Sequence, residues 1–306
     1  MAVKKATTQP KSQPERIGIP VNKTYKIFIN GAFPRSESGR YTELKDARGE
    51  FLANVCLSSR KDFRNAGVAA RAAQQSWQYR NAYNKSQIVY RIAEMLHQKE
   101  GLFVAEMVQM GYTAQQAGKE FNQSVDLLVY FAGWCDKYIQ VFSAVNPVAS
   151  SHFNFSVPEP TGVVAALANN KSALLGMVQA VIPAICGGNT VVALASETYP
   201  LCAVSFAAVL ATSDVPAGII NILTGKRAEL QSHFASHMDV NALIAWDIST
   251  ADQVNLVKVA AENVKRTHFY ESEKTDETGP EYILDLQEIK TTWHPIEVIS
   301  GSSSGY

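Results

Sequence analysis

A chain of 306 residues with 46% hydrophobic and 18% charged residues has the ordinary balance of a globular protein with a large core. Lys plus Arg and Asp plus Glu each number 28, so the formal net charge is zero. This neutrality argues against nucleic acid or an anionic membrane as a partner. No apolar run reaches the roughly 18 residues of a membrane span, and the amino terminus lacks the apolar core of a signal peptide. The sequence therefore predicts a cytoplasmic protein.

The first 22 residues are rich in Lys, Thr, Gln, Ser and Pro and are too polar to bury much surface, which predicts a disordered arm. Apolar residues then alternate around Asn30-Gly31, which predicts a hairpin over residues 25–33. Ser59 is a capping residue that predicts a helix over residues 59–78. Apolar stripes predict further amphipathic helices over residues 86–99, 102–110 and 127–139. These helices are expected to form an amino-terminal layer against a sheet.

Residues 152–159 alternate apolar and polar side chains and end at prolines. Such a segment is typical of an edge strand that leaves the body of a domain and returns. We therefore predict a protruding strand at about residues 150–160.

Residues 161–200 are the segment around which the chain is organised. Apolar runs at 163–168 and 190–195 flank a helix pattern for which Ser172 is the expected N-cap and Gly187 the expected end, with Pro183 bending it. Buried runs separated by a helix predict a βαβ unit of a parallel sheet. The alternation continues with predicted helices at 201–212, 228–237 and 251–265 and predicted strands at 219–223, 242–245 and 268–270. The predicted fold class is α/β, a Rossmann-like doubly wound sheet of about five parallel strands.

In such sheets ligands bind at the carboxyl ends of the strands, where this chain has Asn169-Asn170-Lys171, Glu197, the turn Thr224-Gly225-Lys226-Arg227, and Trp246-Asp247-Ile248-Ser249-Thr250. No G-x-G-x-x-G dinucleotide fingerprint follows any predicted strand.

With Lys290-Thr291-Thr292-Trp293 near the carboxyl terminus, these motifs resemble the aldehyde dehydrogenase superfamily, over residues 25–274 and again over 288–296. The resemblance implies an NAD(P) cofactor, a cysteine nucleophile, and a protruding strand that pairs with another subunit. Within the superfamily, the chain is most similar to the inactive second module of two-part aldehyde dehydrogenases.

The resemblance assigns the cofactor-binding positions that this chain retains to Glu197, Gly225 and Ser249. Other positions depart from the family pattern. Leu194 replaces the ribose-binding lysine, Arg227 replaces a glycine, and Ile248 replaces the glycine of a Phe-Thr-Gly-Ser-Thr motif, which blocks close approach of a ligand. The expectation is that no cofactor binds, with residual NAD binding as the alternative.

The catalytic groups implied by the family are also replaced. Lys171 stands where the family has an asparagine that stabilises the oxyanion, and loss of one such donor slows an enzyme by roughly 10²–10³. Tyr270 stands at the position of the general base. No cysteine follows Cys202, so no thiol nucleophile is available, and we predict no catalytic residues.

The predicted domains are a disordered arm at 1–22, a cofactor-fold domain at 23–275, a linker with a carboxyl-terminal oligomerisation strand at 276–298, and a flexible tail at 299–306. The family's catalytic domain is missing between the cofactor-fold domain and the linker that follows it. The chain is therefore predicted to be a pseudoenzyme.

The leading functional hypothesis is a noncatalytic subunit that docks to an active aldehyde dehydrogenase by β-strand addition, as a hetero-oligomer. Alternatives are a homodimeric scaffold, a residual NAD(P)-dependent aldehyde oxidoreductase, and a sensor of another nucleotide using Lys171, Arg227 and Glu197. Neither a metal site nor a disulfide is expected, because the cysteines lack metal or redox spacing and read as buried thiols. They are Cys56, Cys135, Cys186 and Cys202.

Overall fold

The computed structural model describes residues 22–46, 48–272 and 279–296. The predicted arm at 1–22, apart from Asn22, and the predicted tail at 299–306 lie outside the described residues. The strands are β1 (Thr24–Tyr25), β2 (Tyr41–Lys45), β3 (Phe51–Cys56), β4 (Ala144–Asn146), β5 (His152–Pro160), β6 (Val163–Leu167), β7 (Thr190–Leu194), β8 (Ile220–Leu223), β9 (Ala242–Trp246), β10 (Arg266–Tyr270) and β11 (Gln287–Pro295). The helices are α1 (Arg60–Gln78), α2 (Ala82–His97), α3 (Glu100–Gln109), α4 (Ala114–Trp134), α5 (Tyr138–Phe142), α6 (Leu175–Cys186), α7 (Leu201–Leu210), α8 (Arg227–Ser236), α9 (Thr250–Ala261) and α10 (Glu281–Leu284).

The central sheet has five strands in the order β10-β9-β6-β7-β8, and every pair is parallel. Every residue of β6, β7, β8 and β9 is buried, as expected for parallel strands covered on both faces. Alternate side chains of β6 enter opposite cores: Val164 packs with α4 and α6, and Val163 packs with α1 and α8. The predicted Rossmann-like α/β class is confirmed.

The amino-terminal helices form the predicted layer, but two of them begin four or more residues earlier than predicted: α2 begins at Ala82 rather than at residue 86, and α4 begins well before residue 127. The helix predicted at 127–139 begins at Ala114 and ends at Trp134, and the separate short α5 follows it. Thr113 and Gln116 form a capping box that fixes the earlier start. The first turns of α4 have a polar outer face, which concealed them in the hydrophobic pattern.

The hairpin predicted at residues 25–33 is wrong except for its turn. Asn30 and Gly31 have positive φ and close a tight turn between Ile29 and Ala32. Tyr25 instead pairs with β3 in a separate three-stranded sheet of order β1-β3-β2, and Phe28 bridges to Ile222 of β8. Pairing with distant partners therefore replaces the local hairpin.

A second small sheet, which we call the arm sheet, has the order β11-β5-β4 and is antiparallel. The prediction that β5 is an edge strand is wrong, because β5 lies in the middle of this sheet. It pairs with β11 along its whole length, from Pro160 opposite Gln287 to His152 opposite Pro295. The two strands expected to seek a partner elsewhere therefore cover one edge of each other. Among the described residues, β11 has a neighbouring strand on one side only.

Candidate functional site

The polar residues predicted from the strand ends lie together at the carboxyl edge of the central sheet. The loop after β6 is held by its own side chains: Asn169 Oδ1 accepts from Lys171 N at 2.7 Å, and Asn170 Oδ1 accepts from Glu197 N at 2.9 Å. These bonds tie the loop after β6 to the loop after β7. The edge is thus a fixed scaffold whose amide side chains are already engaged.

Arg227, the first residue of α8, spans this edge. Its guanidinium donates to the backbone oxygen of Trp246 at 3.2 Å and to the backbone oxygen of Ala168, so it joins the ends of β9 and β6. Its backbone N–H donates to Glu197 Oε2 at 3.1 Å. Burial lowers the pKa of Arg227, while the nearby carboxylates of Glu197 and Asp247 oppose that shift. Because a guanidinium titrates far above neutral pH, Arg227 remains a cation here.

Lys171 contributes a second positive charge at the same edge. Its exposed Nζ lies 3.7 Å from Asp247 Oδ2, and Asp247 Oδ1 accepts from Ser272 N at 2.9 Å. The two cations and two carboxylates of the edge, Arg227, Lys171, Glu197 and Asp247, therefore balance one another within the chain.

The three retained positions of the predicted cofactor site each make contacts within the chain. Glu197 bonds the backbone of Arg227, whereas Ser249 is the N-cap of α9 and exchanges hydrogen bonds with Asp252. A Cβ added at Gly225 would lie 3.3 Å from Ser58 N, so this glycine permits close packing against the loop before α1. Each residue has a structural task in its own element.

The N-terminus of α6 is capped by a residue that the sequence interpretation missed. The predicted N-cap, Ser172, lies two residues early, because α6 begins after Leu174, which makes no side-chain cap. Ser172 Oγ nevertheless accepts from the Gly176 N–H of the first turn at 2.7 Å. Glu120 Oε1, from α4, accepts from Ser172 Oγ at 2.8 Å and from the backbone N–H groups of Ala173, Leu174 and Leu175 at 2.9, 2.7 and 3.1 Å. A carboxylate supplied by another helix thus stabilises the positive end of α6.

Beside Glu120 lies a cleft of about 420 Å³ that Lys171, Tyr112 and Tyr199 also line. The Tyr112 hydroxyl donates to the backbone oxygen of Lys171 at 3.3 Å. Burial, with the Glu120 carboxylate adding to it, raises the pKa of Tyr112 above its ordinary value. Its phenol therefore stays protonated and serves as a donor. No local pattern in the sequence identifies Glu120, because its partners are more than fifty residues away along the chain.

Tyr270 ends β10 and is half-buried against the Trp246 ring, 4.9 Å between centroids. Its hydroxyl donates to Asp285 Oδ2 at 2.8 Å, and His268 Nδ1 lies 3.7 Å from the same oxygen. Burial, followed by the Asp285 charge, raises the pKa of Tyr270 well above its ordinary value. A protonated phenol is a hydrogen-bond donor and cannot act as a general base near neutral pH.

The prediction that the cysteines are buried thiols is confirmed. All four are free and buried, and burial raises the pKa of Cys186 and of Cys202 well above the ordinary value. Among residues 22–46, 48–272 and 279–296, no cluster of three His, Cys, Asp or Glu side chains is arranged to hold a metal ion. In that same part of the chain no helix has the length and apolarity that crossing a bilayer requires.

A doubly wound parallel sheet with its polar loops at the carboxyl edge places the chain in the class of Rossmann-like α/β proteins. The model of the aldehyde dehydrogenase family matches residues 33–270. The chain belongs to the aldehyde dehydrogenase family.

Individual relatives agree with this assignment. Retinal dehydrogenase 2 of Gallus gallus is 32% identical over 255 residues, which are 79% of this chain and 47% of that protein. The cytosolic 10-formyltetrahydrofolate dehydrogenase of Xenopus tropicalis is 30% identical over 79% of this chain and 28% of that protein. An NAD⁺ complex of an aldehyde dehydrogenase from Bacillus cereus has a TM-score of 0.77 at 24% identity, over 81% of this chain and 51% of that one. The chain therefore spans about half the length of these relatives, or less.

Proposed function

We propose that this chain is a noncatalytic subunit of aldehyde dehydrogenase type, which joins an active aldehyde dehydrogenase by β-strand addition and acts as a structural or regulatory partner. The observation that carries the proposal is the outer edge of β11, which has no neighbouring strand among the described residues. Its sheet is separate from the central sheet, and the other long strand of that sheet, β5, is paired on both sides. An antiparallel strand with one neighbour turns about half of its backbone N–H and C=O groups outward. Those groups are available to another chain.

The side chains of the arm sheet support a docking role. One face carries a polar seam, in which Asn146 Nδ2 donates to Ser156 Oγ at 2.8 Å and Ser156 Oγ lies 2.8 Å from Thr291 Oγ1. This seam fixes the register of the three strands without a covering layer. Large apolar side chains on the sheet remain exposed nonetheless, by 67% for Val145, 47% for Phe153, 61% for Ile289 and 57% for Trp293. A partner that covers them gains roughly 25 cal/mol per Å² of apolar surface.

The catalytic groups argue in the same direction. The four thiols are buried, the family's oxyanion position is occupied by Lys171, and the position of its base is occupied by Tyr270, whose raised pKa keeps its phenol protonated. Only residues 271–286 join β10 to β11. That connection is too short for a domain with a core of its own, which needs at least about 40 residues. The proposal therefore treats the chain as a pseudoenzyme.

NAD(P) is also excluded by this proposal, because the residues at the carboxyl edge fit a dinucleotide poorly. The Arg227 guanidinium crosses the crevice between the ends of β6 and β9, where a pyrophosphate approaches the sheet in Rossmann-like proteins. Leu194 offers no hydrogen bond to a ribose and is buried. Ile248 adds a branched side chain in the turn before α9, where a backbone must be closely approached.

Two proline substitutions in β11 test the strand addition. Thr291 and Thr292 are consecutive, so one N–H points towards β5 and the other points outward. Proline at the outward position removes a donor from the open edge alone, whereas proline at the inward position breaks the arm sheet itself. We expect the outward substitution to abolish the complex with an active aldehyde dehydrogenase of the same cell, measured by light scattering after size exclusion, while the thermal stability of the isolated chain is kept.

A chain that remains monomeric beside every aldehyde dehydrogenase of its native extract contradicts the proposal. So does a complex that tolerates proline at both positions. A homodimeric scaffold is the second candidate, because two copies of β11 can pair antiparallel about a two-fold axis. The molar mass of the purified chain separates the two. Calorimetric titration with NAD tests residual oxidoreductase activity, for which saturable micromolar binding would be the supporting result.

A further inference from the structure

A second cleft, of about 630 Å³, lies on a different side of the molecule from the carboxyl edge. It is formed by the first turns of α1 and the last turn of α8 with the loop that follows. Arg60, Lys61 and Arg64 line it from α1, and His233, His237 and Asp239 line it from α8 and its loop. We call it the α1/α8 cleft. It shares no lining residue with the carboxyl-edge site, so its function is separate from the one proposed above.

Three cations and one carboxylate line the α1/α8 cleft, in a chain whose net charge is zero. Lys61 is paired with Glu37. Within the described ranges, neither Arg60 nor Arg64 makes an ion pair, although both lie within one helical turn of each other. The one carboxylate among the lining residues is Asp239. Two unpaired guanidiniums facing one cleft form the geometry that phosphate groups recognise through forked hydrogen bonds.

One further basic group, Lys265, lies near His237 without lining the cleft. Lys265, before β10, is 8% exposed, and its Nζ has no hydrogen-bond partner among the described residues. Burial lowers the pKa of Lys265, and its charge is close enough to act on His237. A buried amine without a partner is costly to retain, because desolvation is uncompensated. An anion in the cleft would offset that cost.

The two histidines are held towards their neutral forms. The pKa of His233 is lowered by burial and then by Arg60. The pKa of His237 is lowered first by burial and also by Lys265, Arg64 and Arg60, while Asp239 opposes these effects. His237 also packs edge-on against the buried Phe63 ring, 5.4 Å between centroids. A ligand of negative charge would reverse the repulsion and favour protonated imidazoles, which are additional donors.

We infer that the α1/α8 cleft binds the phosphoryl or diphosphate group of a small molecule, gripped by Arg60 and Arg64 and supported by His233, His237 and Lys265. The cleft exceeds the size of a bare phosphate, so the ligand carries either two phosphoryl groups or an organic part. The shared chemistry is the diphosphate group. It can come from inorganic pyrophosphate or from a nucleoside diphosphate, and the experiment distinguishes the two sources.

The first test is calorimetric titration of the whole chain with inorganic pyrophosphate and, separately, with ADP at low ionic strength. We expect saturable binding with one site per chain. The double substitution R60A/R64A should weaken it by at least about tenfold, since two charge-assisted bonds to the ligand are lost. R60K/R64K keeps the two charges but loses the bidentate hydrogen bonding of the guanidinium groups, so its affinity should lie between those of R60A/R64A and the unmodified chain. Tighter binding of ADP than of pyrophosphate identifies the nucleotide as the source.

A matched control removes two exposed cations elsewhere. Arg91 lies on α2 and Lys137 follows α4. Both are exposed, and their elements pack on the opposite face of the central sheet from α1 and α8. R91A/K137A should leave affinity within about twofold, because screening weakens the effect of charges on the far side of the sheet. An equal loss in the control and in R60A/R64A overturns the inference, as does the absence of saturable binding by either ligand. The Arg227→Ala variant shows which site binds ADP. If ADP affinity is lost in Arg227→Ala and kept in R60A/R64A, ADP binds at the carboxyl edge.

The second test follows the protons. Sulfate keeps its charge between about pH 6 and pH 8, so any change in its affinity there reports groups of the protein. Binding that protonates His233 and His237 should strengthen as the pH falls across this range, and the imidazole NMR signals of both should titrate at higher pH with sulfate present. Unshifted histidine titrations in the bound state would overturn the inference. These readouts do not depend on oligomerisation, so failure here is separable from failure of the proposed subunit role.

Discussion

The hydrogen bonds from Glu120 to the N-terminus of α6 give the most direct test of what stabilises this fold. A single carboxylate oxygen accepts from Ser172 Oγ and from three successive backbone N–H groups at 2.7–3.1 Å. Helix N-termini carry partial positive charge and unpaired N–H groups, and here both are satisfied across a tertiary contact. Glu120→Ala removes the acceptor and the charge together.

The expected cost follows from these contacts. Each buried donor left unpaired costs about 1–3 kcal/mol, and loss of charge at a helix N-terminus costs about 0.3–1 kcal/mol. The adjoining cleft of about 420 Å³ admits water to the freed N–H groups, so each falls at the low end of that range. We therefore expect Glu120→Ala to lower the free energy of unfolding by about 3–4 kcal/mol. Glu120→Gln keeps a neutral acceptor and should cost about 1–2 kcal/mol.

Equilibrium unfolding in urea measures these losses, and hydrogen exchange of the Ala173 and Leu174 amides localises them. Glu94→Ala is the control, because that carboxylate is exposed and its one ion-pair partner in the described part of the chain is Arg91 on its own helix. We expect the control to change the free energy of unfolding by less than about 0.5 kcal/mol. A Glu120→Ala protein as stable as the control, with unchanged amide protection, would refute the capping role.

Three further predictions concern the sheet and its edge. Tyr270→Phe should reduce the loss of stability above pH 10. Because the pKa of Tyr270 is raised, the folded state keeps a proton that the unfolded state releases, and the free energy of unfolding falls by about 1.4 kcal/mol per pH unit for each such tyrosine. Unfolding measured at several alkaline pH values tests this prediction. Gly218→Ala should cost about 2–4 kcal/mol by urea unfolding, since φ is +85° and the new Cβ would lie 2.7 Å from the Ala69 carbonyl oxygen, and a neutral result would contradict that geometry. Arg227→Ala should cost about 1–3 kcal/mol, with Arg227→Lys recovering less than half because one ammonium cannot join both carbonyl oxygens; thermal unfolding of the pair of variants decides it.

Most of the central sheet was predictable from the sequence, because each buried strand is written as an unbroken apolar run. The strands at 163–167 and 190–194 fall inside the predicted runs, and Gly187 is the C-cap where the helix was expected to stop. Local pattern suffices when both faces of a strand are buried.

Features that depend on distant partners were not predictable. Ser172 has every local property of an N-cap, yet it accepts only from the Gly176 N–H, and Glu120 from α4 accepts from the three preceding backbone N–H groups. β5 has the alternation and prolines of an edge strand, yet β11 returns from the far end of the chain to pair with it. The sequence predicted which residues lie at the carboxyl edge, but it did not predict the hydrogen bonds that these residues make with one another. Arg227 was considered as a ligand of another nucleotide, while in the structure its guanidinium donates to two backbone carbonyl oxygens. Tertiary contacts determine these hydrogen bonds, because local and distant partners offer the same donor and acceptor groups.

The bonding at the carboxyl edge has an energetic consequence for any ligand that approaches it. To admit a pyrophosphate, Arg227 must release the carbonyl oxygens of Ala168 and Trp246, and Lys171 must leave Asp247. Releasing the two charge-assisted bonds costs about 1.5–3 kcal/mol each unless the ligand replaces them, and the freed carbonyl oxygens accept hydrogen bonds but cannot receive any from an anion. A total of about 3–6 kcal/mol corresponds to a loss of roughly 10²–10⁴ in affinity, at 1.4 kcal/mol for each factor of ten. A site that would otherwise bind a dinucleotide with a Kd of about 1 μM is therefore expected to bind it with a Kd of about 0.1–10 mM at this edge, even if every other contact of a competent site were present.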